Sequence, residues 1–388
     1  MRTANIFLKT LITTLLVTFP CAVCAQETPA AREETVNTET ADWEQMTVER
    51  SMELLYADQF AVDYYTGEYA LITIEDSGRF LVVPEGKEVP ANLDEDVTVL
   101  QQPIENIYLV ATSAMDLFCA LDGQTQIRLS GTQASDWYVE KAREAMEAGD
   151  MIYAGKYSAP DYELIVSENC KLAVESTMIY HSPEVKEKLE EFGIPVLVER
   201  SSYESHPLGR TEWLKLYGVL LGKEELAEKL FAEQAEGLDE VMAQENTGKT
   251  VAFFYISSNG YVNVRKSGDY VSKMIELAGG KYIFDDLGDS ESSLSTMNMQ
   301  MEEFYARAKD ADYIIYNSTI DGEIHTLQEL FQKSPLLKDF KAVKEGNVYC
   351  TQKNLFQETM GLGTMIADMH TMLTGDKTQE FTYMYPIS

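Results

Sequence analysis

Short apolar runs and amphipathic stretches alternate along the chain from about residue 59 onward. The residue pattern at 59–65 and 69–74 alternates in a way that predicts two paired strands, and a third predicted strand at 80–83 ends before turn residues. Short, mostly apolar runs of the buried parallel kind follow at 107–110, 127–131, 172–175 and 194–199. Helical periodicity predicts helices between them at 113–121, 135–148 and 183–192. Strands that alternate with helices indicate a parallel sheet with helical crossovers.

The same alternation begins again near residue 250. Strands are predicted at 251–256, 313–316 and 347–350. Helices are predicted at 270–278, 301–308, 326–332 and 359–373. This second set predicts a second α/β lobe.

A nearly all-helical segment separates the two sets. One helix is predicted at 210–221, and after a break near Gly222 a longer one at 223–244 has apolar residues at helical spacing. At 1.5 Å per residue the longer helix spans about 33 Å, the width of a small domain, which predicts a stiff connector. The predicted organisation is an N-terminal lobe at 51–206, a connector at 207–247 and a C-terminal lobe at 248–388.

The N-terminus has the pattern of an export signal. Arg2 and Lys9 precede an apolar run that ends at Cys24, and small residues surround a cleavage point after Ala25. Residues 1–25 are therefore predicted to be a signal peptide, with a retained anchor helix, or lipidation of Cys21 or Cys24, as alternatives. Residues 26–50 are rich in Glu, Thr and Ala and are predicted to be a flexible acidic tether.

The net charge and the number of cysteines exclude some classes of function and of fold. The chain has 31 Lys and Arg against 64 Asp and Glu, a formal net charge of −33, which argues against nucleic acid as a partner. Cleavage after Ala25 leaves Cys119, Cys170 and Cys350. Three cysteines this far apart do not form a disulfide framework and are predicted to be small buried residues.

Several ordered motifs carry a family resemblance. In the second half they are AGGKYIF at 278–284, MEEF at 301–304 before DADYII at 310–315, and VKEGNVY at 343–349. LGRTEW at 208–213 and KEELA at 223–227 open the two connector helices. In this order and spacing the chain resembles the iron-chelate/vitamin B12 class of ABC-transporter substrate-binding proteins. The resemblance implies two Rossmann-like α/β lobes joined by a single long connector helix, the class III periplasmic-binding-protein fold.

The resemblance also implies a mechanism and partners. A monomer of this class captures a metal chelate between its lobes and delivers it to a membrane permease dimer. Each lobe presents one surface glutamate to the permease, and by motif position these are Glu163 and Glu303, or Glu302 if the register differs by one. The expected cargo is a ferric siderophore or haem, with cobalamin next, and no resident cofactor is expected.

Loops at the carboxyl ends of the predicted strands supply the candidate cargo contacts, since ligands of open α/β sheets bind there. Aromatic residues offer flat apolar contact to a ring system, and cationic residues offset the charge of an anionic chelate. The candidates are Trp137, Tyr157, Tyr203, Arg210, Ser258, Tyr261, Arg265 and Lys353.

Three alternatives stay open. His181 and His206 are placed to approach the cleft between the lobes, which would fit a zinc or manganese receptor of the same architecture, although a compact three-histidine set is missing and no metal site is predicted. A two-lobed hydrolase or chelatase-like enzyme is disfavoured because the sequence has no phosphate loop, nucleophile elbow or HExxH helix. A cell-surface haem scavenger that works without a permease would have the same cleft between its lobes, but its surface glutamates would not dock on a permease.

Overall fold

A computed structural model describes residues 41–244, 246–288, 295–376 and 379–388. Its first sheet has five strands: β1 (Val48–Ser51), β2 (Phe60–Tyr65), β3 (Tyr69–Ile74), β4 (Gly78–Val83) and β5 (Val97–Gln101). They lie in chain order, antiparallel except that β4 and β5 are parallel. The two predicted paired strands and the third strand are thus confirmed, and they form a sheet separate from the parallel one.

The predicted tether is wrong at its C-terminal end. Trp43 is only 8% exposed and packs with Tyr69, Leu71 and Leu81, and β1 pairs with β2. Residues 42–51 are therefore part of the first sheet's structure, because one tryptophan anchors a segment whose composition alone indicates disorder. The rest of the predicted tether and the predicted signal peptide lie outside the described residues.

The second sheet is entirely parallel. Its region contains β6 (Ile107–Leu109), β7 (Ile127–Ser130), β8 (Ile152–Tyr153), the small hairpin β9 (Gly155–Lys156) and β10 (Ala159–Pro160), β11 (Ala173–Ser176) and β12 (Val196–Glu199). The sheet order is β12-β11-β6-β7-β8. Its helices are α1 (Thr112–Ala120), α2 (Glu140–Ala148), α3 (Tyr162–Ser167) and α4 (Pro183–Glu191). The helix predicted at 135–148 is shorter, because a separate 3-10 turn precedes it.

The connector consists of two helices, α5 (Pro207–Leu221) and α6 (Glu224–Met242), which meet at Gly222 in the left-handed conformation (φ 64°). They run antiparallel: Lys215 pairs with Glu228 at 3.0 Å, and a Cβ on Gly218 would lie 2.7 Å from the Cβ of Ala227. The 19 residues of α6 span about 28 Å. Leu208 of α5 packs in the C-terminal core while most of α5 packs in the N-terminal core, so this buried helix is shared by both halves.

The third sheet has the order β16-β14-β13-β17-β18-β19, with β15 pairing with β13. Its strands are β13 (Thr250–Ile256), β14 (Val262–Arg265), β15 (Lys281–Tyr282), β16 (Thr296–Met299), β17 (Tyr313–Tyr316), β18 (Val348–Thr351) and β19 (Met384–Pro386). Its helices are α7 (Tyr270–Leu277), α8 (Met301–Ala308), α9 (Ser318–Asp321), α10 (Leu327–Lys333), α11 (Lys341–Glu345) and α12 (Leu362–Thr374). The central strands β13, β17 and β18 are parallel, as predicted.

Two buried carboxylates attach the first sheet to α5. Glu212 accepts hydrogen bonds from the backbone N–H groups of Leu55, Tyr56 and Ala57 at 2.8–3.0 Å and pairs with Lys215 at 3.2 Å. Glu204 accepts the backbone N–H groups of residues 58 and 59 and the Trp213 indole N–H. Burial raises the pKa of Glu204 to about 7 although these donors favour its ionised form. The link from β1 to β2 is therefore held by two buried carboxyl groups.

A third buried acid, Glu175 on β11, behaves differently. It is 0% exposed, and neither carboxyl oxygen has a hydrogen-bond partner in the described part of the chain. Burial raises the pKa of Glu175 from 4.5 to about 8. Because the folded state keeps this proton between these two values while the unfolded state has released it, the free energy of unfolding falls as the pH rises from about 4.5 to 8 and is constant above that.

We therefore expect Glu175→Gln, which cannot ionise, to gain stability relative to the wild type as the pH rises from 6 to 9. The expected gain over this range is about 2.7 kcal/mol, because about two pH units of it lie below the folded pKa of about 8 and each contributes about 1.4 kcal/mol. Urea denaturation at the two pH values measures it. The exposed Glu187→Gln on α4 is the control and should show no such pH dependence. A Glu175→Gln difference that is equal at both pH values would contradict the assignment.

Candidate functional site

The carboxyl edges of the second and third sheets face each other. Gln357, in the loop after β18, accepts a hydrogen bond from the backbone N–H of Tyr138 at 2.8 Å and donates one to the carbonyl of Asp136 at 2.9 Å. Both partners lie in the segment that follows β7. Thr359 donates to the carbonyl of Ser113, just after β6, at 2.8 Å. Loops at the carboxyl ends of strands from both halves are therefore neighbours, where ligands of open α/β sheets bind.

These edges also expose large apolar side chains. Those of 36–63% exposure at or after the carboxyl ends of strands in the two halves are Tyr138, Tyr153, Met178, Tyr180, Tyr261 and Ile320. Large apolar side chains that are exposed along neighbouring sheet edges are typical of a binding surface. Of these, only Tyr261 was predicted. The sequence offered no signal that separates Tyr138 from its buried neighbour Trp137, because both are large aromatic residues that follow β7.

The predicted contacts in the first half lie in different environments. Trp137 is 1% exposed, and its indole N–H donates to the Ser130 hydroxyl at 3.1 Å, so it packs inside the lobe. Tyr157 is half-buried against the core on one face of the second sheet. Tyr203 is half-buried after β12, and the Arg200 guanidinium carbon lies 4.7 Å from its ring centroid.

Two predicted cations, Arg210 and Arg265, meet around Asp269 and Tyr270. Arg265 pairs with Asp269 at 3.4 Å, and the guanidinium carbon of Arg210 lies 4.1 Å from the Tyr270 ring centroid. Arg210 is 5% exposed, and its Nε has no hydrogen-bond partner among the described residues. Burial raises the pKa of Asp269, and the two guanidinium groups oppose that shift. The cluster holds two positive charges against one carboxylate where α5 meets α7.

The remaining predicted contacts are accessible. Ser258 and Tyr261 lie in the exposed turn after β13, which a hydrogen bond from the Ser257 N–H to the Tyr261 carbonyl closes at 2.9 Å. The Lys353 side chain is 36% exposed, 3.7 Å from Glu323, and its ammonium lies 5.9 Å from the Tyr138 ring centroid. Lys353 and Tyr138 thus bring a cation and an aromatic ring from opposite halves together. Cargo contact by each of these residues stays a prediction.

Glu163 and Glu303 occupy equivalent positions in the two halves. Both are exposed, and each lies in the first turn of a helix, α3 or α8, that precedes a parallel strand. A crossover helix runs antiparallel to its strands, so its first turn lies near their carboxyl ends. Both glutamates therefore lie on the side of the sheets where the edges face each other. Glu302 is also exposed in the same turn of α8.

The four histidines lie in different parts of the fold, and three of them contact different neighbours. His206 caps α5 by accepting the Leu208 N–H at 3.1 Å and stacks on Tyr56, and burial lowers the pKa of His206. His370 is buried beside the Ala278 carbonyl, and His325 stacks on Tyr385. His181 is exposed. Within residues 41–244, 246–288, 295–376 and 379–388, no three His, Cys, Asp or Glu side chains are grouped to hold a metal ion.

The three remaining cysteines are buried and free, as predicted. Burial raises the pKa of Cys119 to about 12 and that of Cys170 to about 11, so both thiols stay protonated. Helices in the described ranges are too short or too polar to cross a bilayer.

The chain belongs to the periplasmic binding protein family, whose family model matches residues 109–355. It is 28% identical over 345 residues to an uncharacterized lipoprotein of Methanocaldococcus jannaschii, covering 84% of this chain and 80% of the relative. A second uncharacterized lipoprotein of that organism is 25% identical over 316 residues, covering 78% of this chain and 77% of the relative. The predicted family resemblance is thereby confirmed.

Solved structures show the same fold at low identity. A periplasmic haem-binding protein from Pseudomonas aeruginosa has a TM-score of 0.58 at 14% identity, covering 73% of this chain and 98% of its own. An ABC-type Fe3+-hydroxamate transport protein from Saccharomonospora viridis has a TM-score of 0.54 at 17% identity, covering 70% and 93%. A possible iron-binding solute-binding protein from Staphylococcus epidermidis has a TM-score of 0.54 at 16% identity, covering 69% and 97%. The predicted class III fold is confirmed, and the predicted lobe boundaries stay predictions.

Proposed function

We propose that this protein is the extracytoplasmic receptor of an ABC importer and that its cargo is a metal chelate, a ferric siderophore or haem, with cobalamin next. The observation that carries the proposal is the set of exposed aromatic and aliphatic side chains on the two facing sheet edges, Tyr138, Tyr180 and Tyr261 among them. Flat apolar surfaces on both sides fit a ring-containing chelate. Lys353 beside Tyr138 supplies positive charge for an anionic one.

The comparisons support the cargo class. The structural neighbours include a haem-binding protein and an Fe3+-hydroxamate transport protein. The relatives named lipoproteins support attachment to the outer face of the membrane through Cys21 or Cys24, two residues outside the described ranges. Delivery to a permease dimer follows from the family, with Glu163 and Glu303 as the proposed docking residues.

Absorbance titration of the purified protein with haemin, a ferric trihydroxamate, a ferric tricatecholate and cyanocobalamin tests the cargo class. We expect one of them to bind with a Kd of about 1 μM or below. Tyr138→Ala should weaken that binding about tenfold or more, because the side chain supplies both ring contact and a neighbour for Lys353.

The matched control is the exposed Val166→Ala near the end of α3, which lines a surface depression with Gly193 and Ile194, ahead of β12. Failure of all four compounds to bind would overturn the cargo class. Binding of one equivalent of Zn2+ that His181→Ala removes would favour the bare-ion receptor instead.

A further inference from the structure

Arg200, the residue after β12, is a buried cation with partners in two different parts of the protein. It is 8% exposed. Its Nε and Nη2 donate to the Gln59 side-chain oxygen at 3.3 and 3.1 Å, and its Nη1 donates to the Tyr180 hydroxyl at 3.3 Å. Nη2 also lies 3.5 Å from an Asp76 carboxylate oxygen, and the guanidinium carbon lies 4.7 Å from the Tyr203 ring centroid.

Two of these partners belong to the first sheet. Gln59 immediately precedes β2, and Asp76 lies in the turn between β3 and β4. The neighbouring Ser77 hydroxyl accepts the Val198 N–H of β12 at 3.3 Å, and Glu204 accepts the Gln59 N–H. The first sheet is thus fastened to the carboxyl edge of the second sheet on both sides of Arg200. All of the first sheet precedes residue 109, where the match to the family model begins.

The other two partners face the proposed cargo site. Tyr180 follows β11 and is 42% exposed, and Tyr203 follows β12 and is half-buried. A fixed guanidinium that donates to one phenol and lies over the face of the other ring restricts the side-chain rotamers of both. Aromatic side chains that are already ordered lose less entropy when a ligand binds.

We propose that Arg200 is a positioning residue for cargo binding and that the first sheet, through Gln59 and Asp76, sets the affinity of the site. This inference rests on the proposed function, because Tyr180 and Tyr203 act on the same cargo. The first sheet then contributes to the affinity of the receptor for its cargo. Gln59 affects this affinity through Arg200, without contacting the cargo itself.

A double-mutant cycle between Gln59 and Arg200 tests this. Haemin, a ferric trihydroxamate, a ferric tricatecholate and cyanocobalamin are titrated in parallel, and the readout is the Kd of the compound that the wild type binds most tightly. We expect Arg200→Met to weaken binding about tenfold, because a charge-assisted hydrogen bond and a cation–π contact are lost. Gln59→Met should weaken it about threefold in the wild type and have no further effect in the Arg200→Met background.

Arg79→Met is the matched control, since it removes ion pairs to Asp94 and Asp96 within the same sheet and leaves Arg200 intact. Its Kd should stay within about twofold of the wild type. Tyr180→Phe removes only the hydroxyl that Arg200 binds and should weaken binding about threefold, which keeps the test valid if Arg200→Met does not fold.

An unchanged Kd in Gln59→Met and Tyr180→Phe, or an equal loss from Gln59→Met in both backgrounds, would overturn the role of Arg200 while the receptor assignment stands. A wild type that binds none of the four compounds would overturn the proposed function, and this inference with it.

Discussion

Replacing Glu163 and Glu303 together by lysine is expected to abolish uptake of the bound chelate by cells while the Kd of the purified protein for that chelate stays unchanged. The two carboxylates are exposed, one in each half, and lie on helices that begin near the facing sheet edges. Two charges held at a fixed separation bind two basic pockets of a permease together, so each strengthens the other. Lysine at both positions replaces this attraction by repulsion.

Cellular uptake of the iron-labelled chelate and absorbance titration of the purified variant measure the two quantities. The matched control is Glu187→Lys with Glu345→Lys, which makes the same charge change at exposed helix positions on α4 and α11. An equal loss of uptake in the control would show a general charge effect and would contradict docking by Glu163 and Glu303. Repeating the experiment with Glu302 in place of Glu303 decides between the two positions.

The largest expected loss of stability comes from Glu212→Ala. This carboxylate is 0% exposed, accepts three backbone N–H groups of residues 55–57 and pairs with Lys215. Its removal leaves those three backbone donors without their acceptor and takes one of two carboxylate partners from the buried Lys215 ammonium, which we expect to lower the free energy of unfolding by about 3–5 kcal/mol. Urea denaturation of the variant measures the change.

Glu228→Ala is the control, because Glu228 is the other carboxylate partner of Lys215 and its side chain is 55% exposed. We expect a loss below about 1 kcal/mol there. Equal losses in the two variants would mean that the attachment of the first sheet to α5 contributes little. A large loss at Glu212 alone would show that the attachment of the first sheet to α5 contributes to the stability of the protein.

The strands and helices of the two α/β halves were largely predictable from the sequence. Buried strands such as β12 and β13 are mostly apolar runs. In amphipathic helices such as α8, apolar residues recur every three to four positions. The strands that escaped prediction are those without such a run. β14 and β16 carry asparagine at a partly or fully exposed position, and their pairing with each other and with β13 is what makes them strands.

The candidate site was predicted less completely. Sequence position placed Tyr203 and Tyr261 after strands, but it also selected Trp137 and Arg210, which the structure buries. Residue type and distance from a strand end do not specify the direction of a side chain. The exposed neighbour Tyr138 and the buried Trp137 differ by one position, and only packing against the rest of the lobe distinguishes them.

The amino-acid sequence by itself determined the α/β class, the break at Gly222 between the two connector helices and the family, because periodic burial and short ordered motifs are local properties of the chain. Only the tertiary structure decided that α5 is shared by both cores, that Glu212 and Glu204 hold the first sheet, and that Arg200 joins Gln59 to Tyr180. These contacts connect residues up to 157 positions apart. The local sequence pattern around a charged side chain does not predict a partner that is so far away in the chain. The packing of the sheets and helices determines which partner the side chain meets.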